Sequence, residues 1–545
     1  MTMKKLLIAI VALTTMQITI AQENRGTFSG GFESNSQWYQ DDEGLGTVAP
    51  QDQLRSNNYF TLRYSYDKFT AGIQYELFAP NPLLGYFEGF KGNGIGTYYL
   101  NFKHEGLDIT GGHFYDQFGS GLIYRSWEDR QLGIDNSIRG VRINYEFTDY
   151  LVATAFTGNQ RVGFEVSEGT ITGLNAELDL SNALDLETGI QIGASYVNRY
   201  QTSTSPDLNF PADVGAYSAR ADITFSKFFL GAEYVYKEQD AFVLDGFVSN
   251  NNYQDGRALL LNTGYATKGL GINATFRAVE NMGFYSDREA SGNAFLTNTI
   301  NYVPGYTKQQ DYAVSNIYVY APQPFVSPGE GKAGEIGGQI DVYYTAKKGS
   351  TLGGKYGTKF EFNYANWSGL DATFDVTNNT YQASLLSRNE KYFEEASVAV
   401  KKRFSRNFST IFTAVHTEYN TTIIEGSGDF LRGDAFIIDA LYKLDDGRSV
   451  RMDLQHLSAD ADRGNWAAAT AEYAFSPYLS MYVTDLYNYD ETDIHYYSVG
   501  GSYTRGRTRV AMNYGRQRGG LVCVGGVCRF VPENTGLTLN ISTNF

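Results

Sequence analysis

The residues best suited to chemistry lie in one stretch in which charges of both signs concentrate. Residues 112–142 read GHFYDQFGSGLIYRSWEDRQLGIDNSIRGVR. Its charged side chains include Arg125, Glu128, Asp129, Arg130, Asp135, Arg139 and Arg142. Charges must face water or pair with each other, because an unpaired buried charge is very costly. The stretch therefore predicts a salt-bridge network that fixes an infolded loop against an inner wall, or a lumen constriction that selects solutes by charge.

The histidines give little support for catalysis or for a metal centre. There are five, and no two have the His-x-x-x-His spacing of a metal site. His113, Asp116 and Ser120 are the residue types of a hydrolase triad at the rim of an exported protein. Each type is common, however, and a histidine near a strand end is more often an interface or lumen residue. We predict no catalytic residues, no metal, no cofactor and no enzyme activity.

The two cysteines, Cys523 and Cys528, are separated by four residues and lie just before the last strand pattern of the chain. In an exported protein this spacing favours a disulfide that tightens a loop. A metal site would need further ligands, and no histidine lies nearby in the sequence.

Export is predicted by the N-terminal residues 1–21. Lys4 and Lys5 precede an apolar run from Leu6 to Ile20, and the small residue Ala21 follows, which is the layout of a signal peptide cleaved before Gln22. After Ala21 no apolar run approaches the roughly 18 residues that a membrane-spanning helix needs. We therefore expect a mature chain of residues 22–545 that lacks a spanning helix.

The last nine residues indicate how the rest of the chain is built. Leu537, Leu539 and Ile541 alternate with polar residues and precede the final Phe545. A strand with one apolar face and one polar face suits a wall between lipid and water. Because a terminal phenylalanine after alternating apolar positions also resembles the closing strand of bacterial outer-membrane proteins, we expect the barrel-assembly machinery to recognise Phe545.

Short polar turns, most of them flanked by aromatic residues, recur along the chain and set the strand count. They are Asp67-Lys68, His104-Glu105-Gly106, Thr148-Asp149, Ser181-Asn182, Ser226-Lys227, Thr267-Lys268-Gly269, Lys347-Lys348-Gly349, Ser405-Arg406-Asn407, Asp445-Asp446-Gly447, Ser476-Pro477 and Arg505-Gly506. Each turn joins two strands, and the first and last strands add two more. The sequence therefore predicts an all-β transmembrane antiparallel barrel of about 24 strands (22–26), with short periplasmic turns and long outer loops.

One connection is too long for an ordinary hairpin loop. Residues 282–331 contain four prolines, and within them Asn316 to Ala321 has the pattern of a short extra strand. Loops of this length usually act as lids, plugs or binding surfaces. Because barrels of about 22 strands are usually plugged, we expect residues 282–331 to fill part of the lumen.

Two stretches carry a resemblance to a known family. The pattern Gly-x-Phe-Tyr-x-Gln-Phe-Gly-x-Gly-Leu at 112–122, with its charged continuation to Asn136, and the run Pro304 to Gln310 resemble a family of uncharacterised exported barrel proteins from Bacteroidota. The resemblance implies a barrel in the outer membrane but no mechanism. Residues 111–145 are also loosely similar to alginate-export porins. Since 60 acidic residues outnumber 44 basic ones, giving a net charge of −16, we do not predict a polyanion cargo.

The function favoured by these patterns is passage of a solute through a gated or partly plugged outer-membrane pore, without catalysis. The alternative is a scaffold barrel that binds a partner in a cell-envelope assembly through exposed aromatic loop segments such as Tyr302–Tyr306. The expected partners are outer-membrane lipid, the assembly machinery and, in the scaffold alternative, an envelope protein. A nucleic-acid partner is not expected.

Overall fold

A computed structural model describes residues 26–204, 209–244, 247–375, 377, 380–524 and 527–545. The predicted signal peptide, residues 1–21, lies outside the described residues. Within the described ranges, no helix has the length and apolar character needed to cross a membrane.

The described chain is almost entirely β-structure. In chain order the strands are β1 (Thr27–Gln40), β2 (Leu54–Tyr66), β3 (Phe69–Phe78), β4 (Gly92–His104), β5 (Leu107–Phe114), β6 (Gln117–Phe118), β7 (Tyr124–Arg125), β8 (Glu128–Asp129), β9 (Ile134–Asp135), β10 (Ile138–Thr148), β11 (Leu151–Val162), β12 (Glu165–Asp179), β13 (Gly189–Tyr200), β14 (Asp213–Phe225), β15 (Phe228–Leu244), β16 (Phe247–Thr267), β17 (Leu270–Glu280), β18 (Glu335–Ala346), β19 (Thr358–Asp375), β20 (Thr380–Arg403), β21 (Phe408–Asn420), β22 (Phe430–Lys443), β23 (Ser449–Ala459), β24 (Trp466–Ser476), β25 (Leu479–Asn488), β26 (Ile494–Arg505), β27 (Thr508–Gln517), β28 (Gly520–Val524), β29 (Val527–Val531) and β30 (Asn534–Asn544). The helical elements are short: Glu88–Phe90, Leu180–Leu184, Ser291–Phe295, Val314–Asn316, Pro328–Glu330 and Thr421–Glu425.

Twenty-four of these strands form one closed antiparallel ring. Each wall strand pairs with its neighbours in chain order, and the closing strand β30 pairs with β27 on one side and with β1 on the other. In this seam Arg509 lies opposite Ser542, and Ser542 lies opposite Glu33. The predicted barrel of 24 strands is confirmed.

Period-two alternation separates the two faces of the wall. On β22 and β23, Phe436 and Leu454 face outward with 61% and 55% of their surface exposed, whereas Ile437 and Leu457 face the lumen at 1% and 3%. Successive side chains of a strand point to opposite faces, so the sequence pattern alone fixes this division. The outer surface of the barrel is consequently an apolar band.

Short connections join the strands at one end of the barrel, at the eleven predicted turn positions. Phe69, Phe225 and Tyr478 beside them are exposed aromatics. Two connections differ from a tight hairpin: residues 180–184 form a helical turn, and the connection at Lys347 extends through residue 357. Neither difference changes the number or order of the strands, so the positions of the short turns still predict the strand count of the barrel.

Long connections from the other end fold into the lumen. Residues 281–334 contact Gln160 on β11 through Ser286 Oγ (2.6 Å) and Gln455 on β23 through the backbone N of Val314 (3.1 Å). These strands are seventh and nineteenth in the ring of 24, so the segment crosses between opposite walls. The extra strand predicted at Asn316–Ala321 is wrong: a 3-10 turn at Val314–Asn316 begins this stretch, and side-chain packing holds the rest.

The segment 281–334 packs against residues 115–137, which contain the small strands β6 to β9. Arg125 N donates to Ile300 O (2.9 Å), and Tyr302 N donates to Gly121 O (2.9 Å). Leu122, Phe284 and Ile300 are fully buried in one apolar cluster shared by the two segments. We call residues 115–137 and 281–334, with the hairpin β28–β29, the inner body.

Candidate functional site: the Arg130 clamp and the seam cavities

Arg130 ties the inner body to the wall beside the barrel seam. Its Nη1 donates to Glu33 Oε2 on β1 (2.7 Å), its Nε to Glu128 Oε1 (2.8 Å) and its Nη2 to Gln74 Oε1 on β3 (3.0 Å). The guanidinium carbon also lies 4.2 Å from the ring centre of Tyr59. We call this arrangement the Arg130 clamp. Three donated bonds and a stacked ring fix the position of the side chain.

A second, more deeply buried arginine holds the same loop. Arg161 on β11 pairs with Glu76 Oε2 (2.5 Å) and with Asp135, and these side chains are between 1% and 6% exposed. Tyr115 OH donates to the other oxygen of Asp135 (3.1 Å). Sequence reasoning selected Asp135 but missed Arg161 and Glu76, since both lie outside the charge-rich stretch.

The other residues of that stretch have separate roles. Arg125 lies 4.1 Å from the ring of Tyr302, and Asp129 accepts hydrogen bonds from the backbone N of Gln131 and of Leu132. Arg142 Nε donates to Asp116 Oδ2 (2.5 Å) inside the lumen. The prediction that Arg139 contributes to a lumen constriction is wrong. Arg139 is exposed and lies on the face of β10 opposite to inward-facing Arg142, so its side chain points out of the barrel.

Three further buried arginines, Arg199, Arg277 and Arg288, anchor residues 281–334. Arg288 Nη1 donates to Asp240 on β15 (2.6 Å), which also accepts from Arg199 Nη2 (3.0 Å). Arg277 on β17 pairs with Glu335, which also accepts from the hydroxyl of Tyr320. Burial lowers the pKa of Arg288 to about 10 despite Asp240, and burial raises the pKa of Glu128 against the opposing charge of Arg130.

Two of the cavities among the described residues lie along the seam, between the inner body and the wall. The first, of about 580 Å³, is called the upper cavity and is lined by Glu33, Asn35, Leu83, Tyr86, Arg130, Gln131, Arg509, Ala511, Asn540, Ile541 and Ser542. The lower one, of about 450 Å³, is lined by Ser29, Gly30, Thr61, Leu62, Arg63, Gly72, Ile73, Gln74, Thr97, Tyr99, Tyr115, Glu128, Asn544 and Phe545.

The Arg130 clamp lies between these two cavities. Its partner Glu33 lines the upper cavity, whereas its partners Gln74 and Glu128 line the lower one. On β1 the lower cavity begins at Ser29 and the upper cavity includes Glu33 and Asn35, so the cavities follow one another along the wall. Movement of one side chain could therefore join two polar spaces.

The structure does not assemble the hydrolase triad. The ring of His113 bonds to the backbone of Tyr98, Asp116 pairs with Arg142, and Ser120 N donates to Glu233. No hydrogen bond joins His113 to Asp116 or Ser120 among the described residues. Across the same part of the chain, no group of three or more His, Cys, Asp or Glu residues is placed to hold a metal ion.

The cysteine hairpin and the aromatic segment Tyr302–Tyr306 both belong to the inner body. Cys523 lies opposite Cys528 across β28–β29, and a disulfide joins them. Arg529 donates to Gly85 O (2.9 Å) and Gln131 O (2.8 Å), so the hairpin is docked instead of projecting as a separate loop. Tyr302–Tyr306 packs inside the barrel, which contradicts its prediction as an exposed contact patch.

Fold and site together define a closed β-barrel whose lumen is occupied by its own connections, with polar cavities beside the seam. The chain belongs to a family of unknown function (DUF6029), whose model matches residues 2–545. No curated protein matches the sequence. The likeness to alginate-export porins stays a prediction.

Solved structures with a similar fold include a siderophore receptor, a translocation pore and an outer membrane protein. The siderophore receptor PirA from Pseudomonas aeruginosa aligns with a TM-score of 0.44 and 9% identity, over 96% of this chain and 81% of the receptor. The P pilus usher PapC translocation pore aligns with a TM-score of 0.42 and 10% identity, over 95% of this chain and 99% of the usher chain. The outer membrane protein OpdK from Pseudomonas aeruginosa aligns with a TM-score of 0.35 and 8% identity, over 95% of this chain and 98% of OpdK. At these TM-scores the likeness carries no argument about function.

Proposed function

We propose that the protein is an outer-membrane barrel that passes a solute through a gated, partly plugged pore, without catalysis. The location is supported by the apolar outer band and by exposed aromatics such as Phe69 and Tyr478 beside the short turns, the arrangement expected at a membrane interface. In this proposal the short turns face the periplasm and the long connections begin on the outer side.

The inner body is the plug in this proposal. It spans opposite walls and is anchored by buried ion pairs, so a direct path through the middle of the barrel is filled by protein. Release of the whole plug would break all these pairs at once and expose the apolar cluster around Phe284 and Ile300, so it would be costly. A solute would more readily use the space along the seam.

The observation that carries the proposal is the position of Arg130 between two polar cavities. Its side chain is 23% exposed, and Glu33 and Glu128 are 34% and 24% exposed, so solvent reaches the clamp. Partly exposed ion pairs are worth far less than buried ones. The clamp should therefore move at a lower cost than the buried pairs of Arg161 and Arg288, and we assign it as the gate.

Conductance in planar bilayers tests this assignment. We compare the wild type with Arg130→Ala, with a deletion of Met282–Gly331, and with Arg139→Ala as a matched control that removes an outward-facing arginine. Arg130→Ala should increase the open time or the unitary conductance, and the deletion should increase conductance further. Arg139→Ala should behave as the wild type. The pore proposal is wrong if none of these proteins conducts, the deletion variant included.

The scaffold alternative has its own support, because the tightly packed inner body would also suit a barrel that transports nothing. It requires a stoichiometric envelope partner, which a pore does not. Cross-linking in intact cells would show this partner as a single defined adduct. Such an adduct, combined with a lack of conductance in the deletion variant, would favour the scaffold over the pore.

A further inference from the structure

Arg63 and Arg509 line the seam cavities, and neither has a bonding partner in the described part of the chain. Arg63 on β2 lies opposite Ser29, and Arg509 on β27 lies opposite Ser542, so both face the lumen. Both are exposed, and within the described ranges neither forms an ion pair or a hydrogen bond. Arg63 lines the lower cavity and Arg509 the upper one, so a solute that used the two cavities would meet each charge in turn.

The acidic side chains of the same cavities, Glu33 and Glu128, share one cationic partner, Arg130. Glu33 and Glu128 both accept charge-assisted hydrogen bonds from Arg130, at 2.7 and 2.8 Å. The main-chain oxygen of Phe545 beside the lower cavity accepts from Gly30 N (3.2 Å). Three arginines (Arg63, Arg130 and Arg509) and two glutamates line the two cavities, so their side chains sum to +1, although the whole chain carries a net charge of −16.

Strand register places these charges close enough to act on a passing ion. Arg509, Ser542 and Glu33 occupy one row across β27, β30 and β1. Neighbouring strands are about 4.8 Å apart, so Arg509 begins roughly 10 Å from the clamp. At low ionic strength, a unit charge roughly 7 Å from an ion in water changes the local ion concentration about twofold. Each arginine should therefore change the ratio of anion to cation about fourfold.

We propose that the seam passage selects small anions, such as chloride and short carboxylates, and that Arg63 and Arg509 are its selectivity-determining residues. This inference rests on the proposed pore function. It also separates the charge of the passage from the net charge of the protein, because Glu33 and Glu128 are the acidic side chains that line these two cavities among the described residues.

Reversal potentials in a KCl gradient at low ionic strength test the inference. The measurement uses the wild type and an opened barrel, Arg130→Ala with Glu33→Gln and Glu128→Gln, in which the clamp charges are removed together. The chloride-to-potassium permeability ratio should exceed 1 in both. Arg63→Gln with Arg509→Gln should lower this ratio several-fold, whereas the matched control Arg139→Gln should leave it unchanged. Sodium acetate in place of KCl should show that a carboxylate also passes.

The outcomes distinguish this inference from the pore proposal. If neither the opened barrel nor the Met282–Gly331 deletion conducts, the pore proposal fails and the anion inference fails with it. A conducting barrel that prefers potassium, or whose chloride preference survives the Arg63→Gln and Arg509→Gln changes, overturns the anion inference alone. Equal loss of chloride preference in the Arg139→Gln control would also overturn it, since the effect would then be one of surface charge.

Discussion

Removal of the buried guanidinium of Arg161 should release the loop that carries the Arg130 clamp. Arg161 is 2% exposed, and its partners Glu76 and Asp135 are 1% and 6% exposed. In Arg161→Ala both carboxylates lose their countercharge inside the protein. Breaking a buried ion pair by removing one partner costs about 3–5 kcal/mol. The population of barrels with residues 115–137 undocked should rise by roughly two to three and a half orders of magnitude.

Cysteine labelling measures this release directly. Ser137 is fully buried next to Asp135, so Ser137→Cys should react with a maleimide only when the loop undocks. The labelling rate should rise in proportion to the undocked population as long as docking is faster than labelling. A matched control is Arg451→Ala, because Arg451 pairs with Asp439 at 2.9 Å but is 44% exposed. Arg451 lies on β23, on the wall opposite β11, so the control should leave the labelling rate of the loop nearly unchanged.

A rescue variant separates ion-pair loss from general damage. Arg161→Met with Glu76→Gln and Asp135→Asn removes all three charges together, and uncharged replacements of a buried pair are often neutral. This variant should label at nearly the wild-type rate. The reasoning is refuted if Arg161→Ala labels no faster than Arg451→Ala, or if the rescue variant labels as fast as Arg161→Ala.

Three further predictions concern the hairpin, pH and the second anchor. Replacing Cys523 and Cys528 with Ser should leave assembly and heat resistance nearly unchanged, because the disulfide closes a short loop, and an impermeant maleimide should label intact cells only after reduction. Burial raises the pKa of Glu128 in the docked loop, so docking of the loop should strengthen as the pH falls from neutral toward that pKa. The labelling rate of Ser137→Cys should therefore fall with pH, and Glu128→Gln should abolish this pH dependence. Arg288→Ala removes one of the cations that bind Asp240 and breaks an anchor of residues 281–334, so the protease sensitivity of this segment should increase. Arg432→Ala on the outer surface should not change it.

The wall of this protein is determined by local sequence patterns. Phe436 and Ile438 face outward, and Ala435 and Ile437 face inward, because a strand alternates its side chains whatever its neighbours are. Turn residues such as Asp445–Gly447 mark the strand ends through their own backbone preferences. Strand number, pairing order and the two faces could therefore be predicted from the sequence.

The lumen, in contrast, was decided by contacts between residues far apart in the chain. Glu76 and Arg161 are 85 positions apart, and Arg130 meets Glu33 across 97 positions. A charge-rich segment indicates that partners are needed, but its composition does not say which strand supplies them. Arg139 is a different case, because period-two alternation along β10 already assigns it to the outward face with Val141. Only the closed ring, which brings β1, β3 and β11 around one loop, selects these partners and leaves Arg63 and Arg509 unpaired beside the cavities.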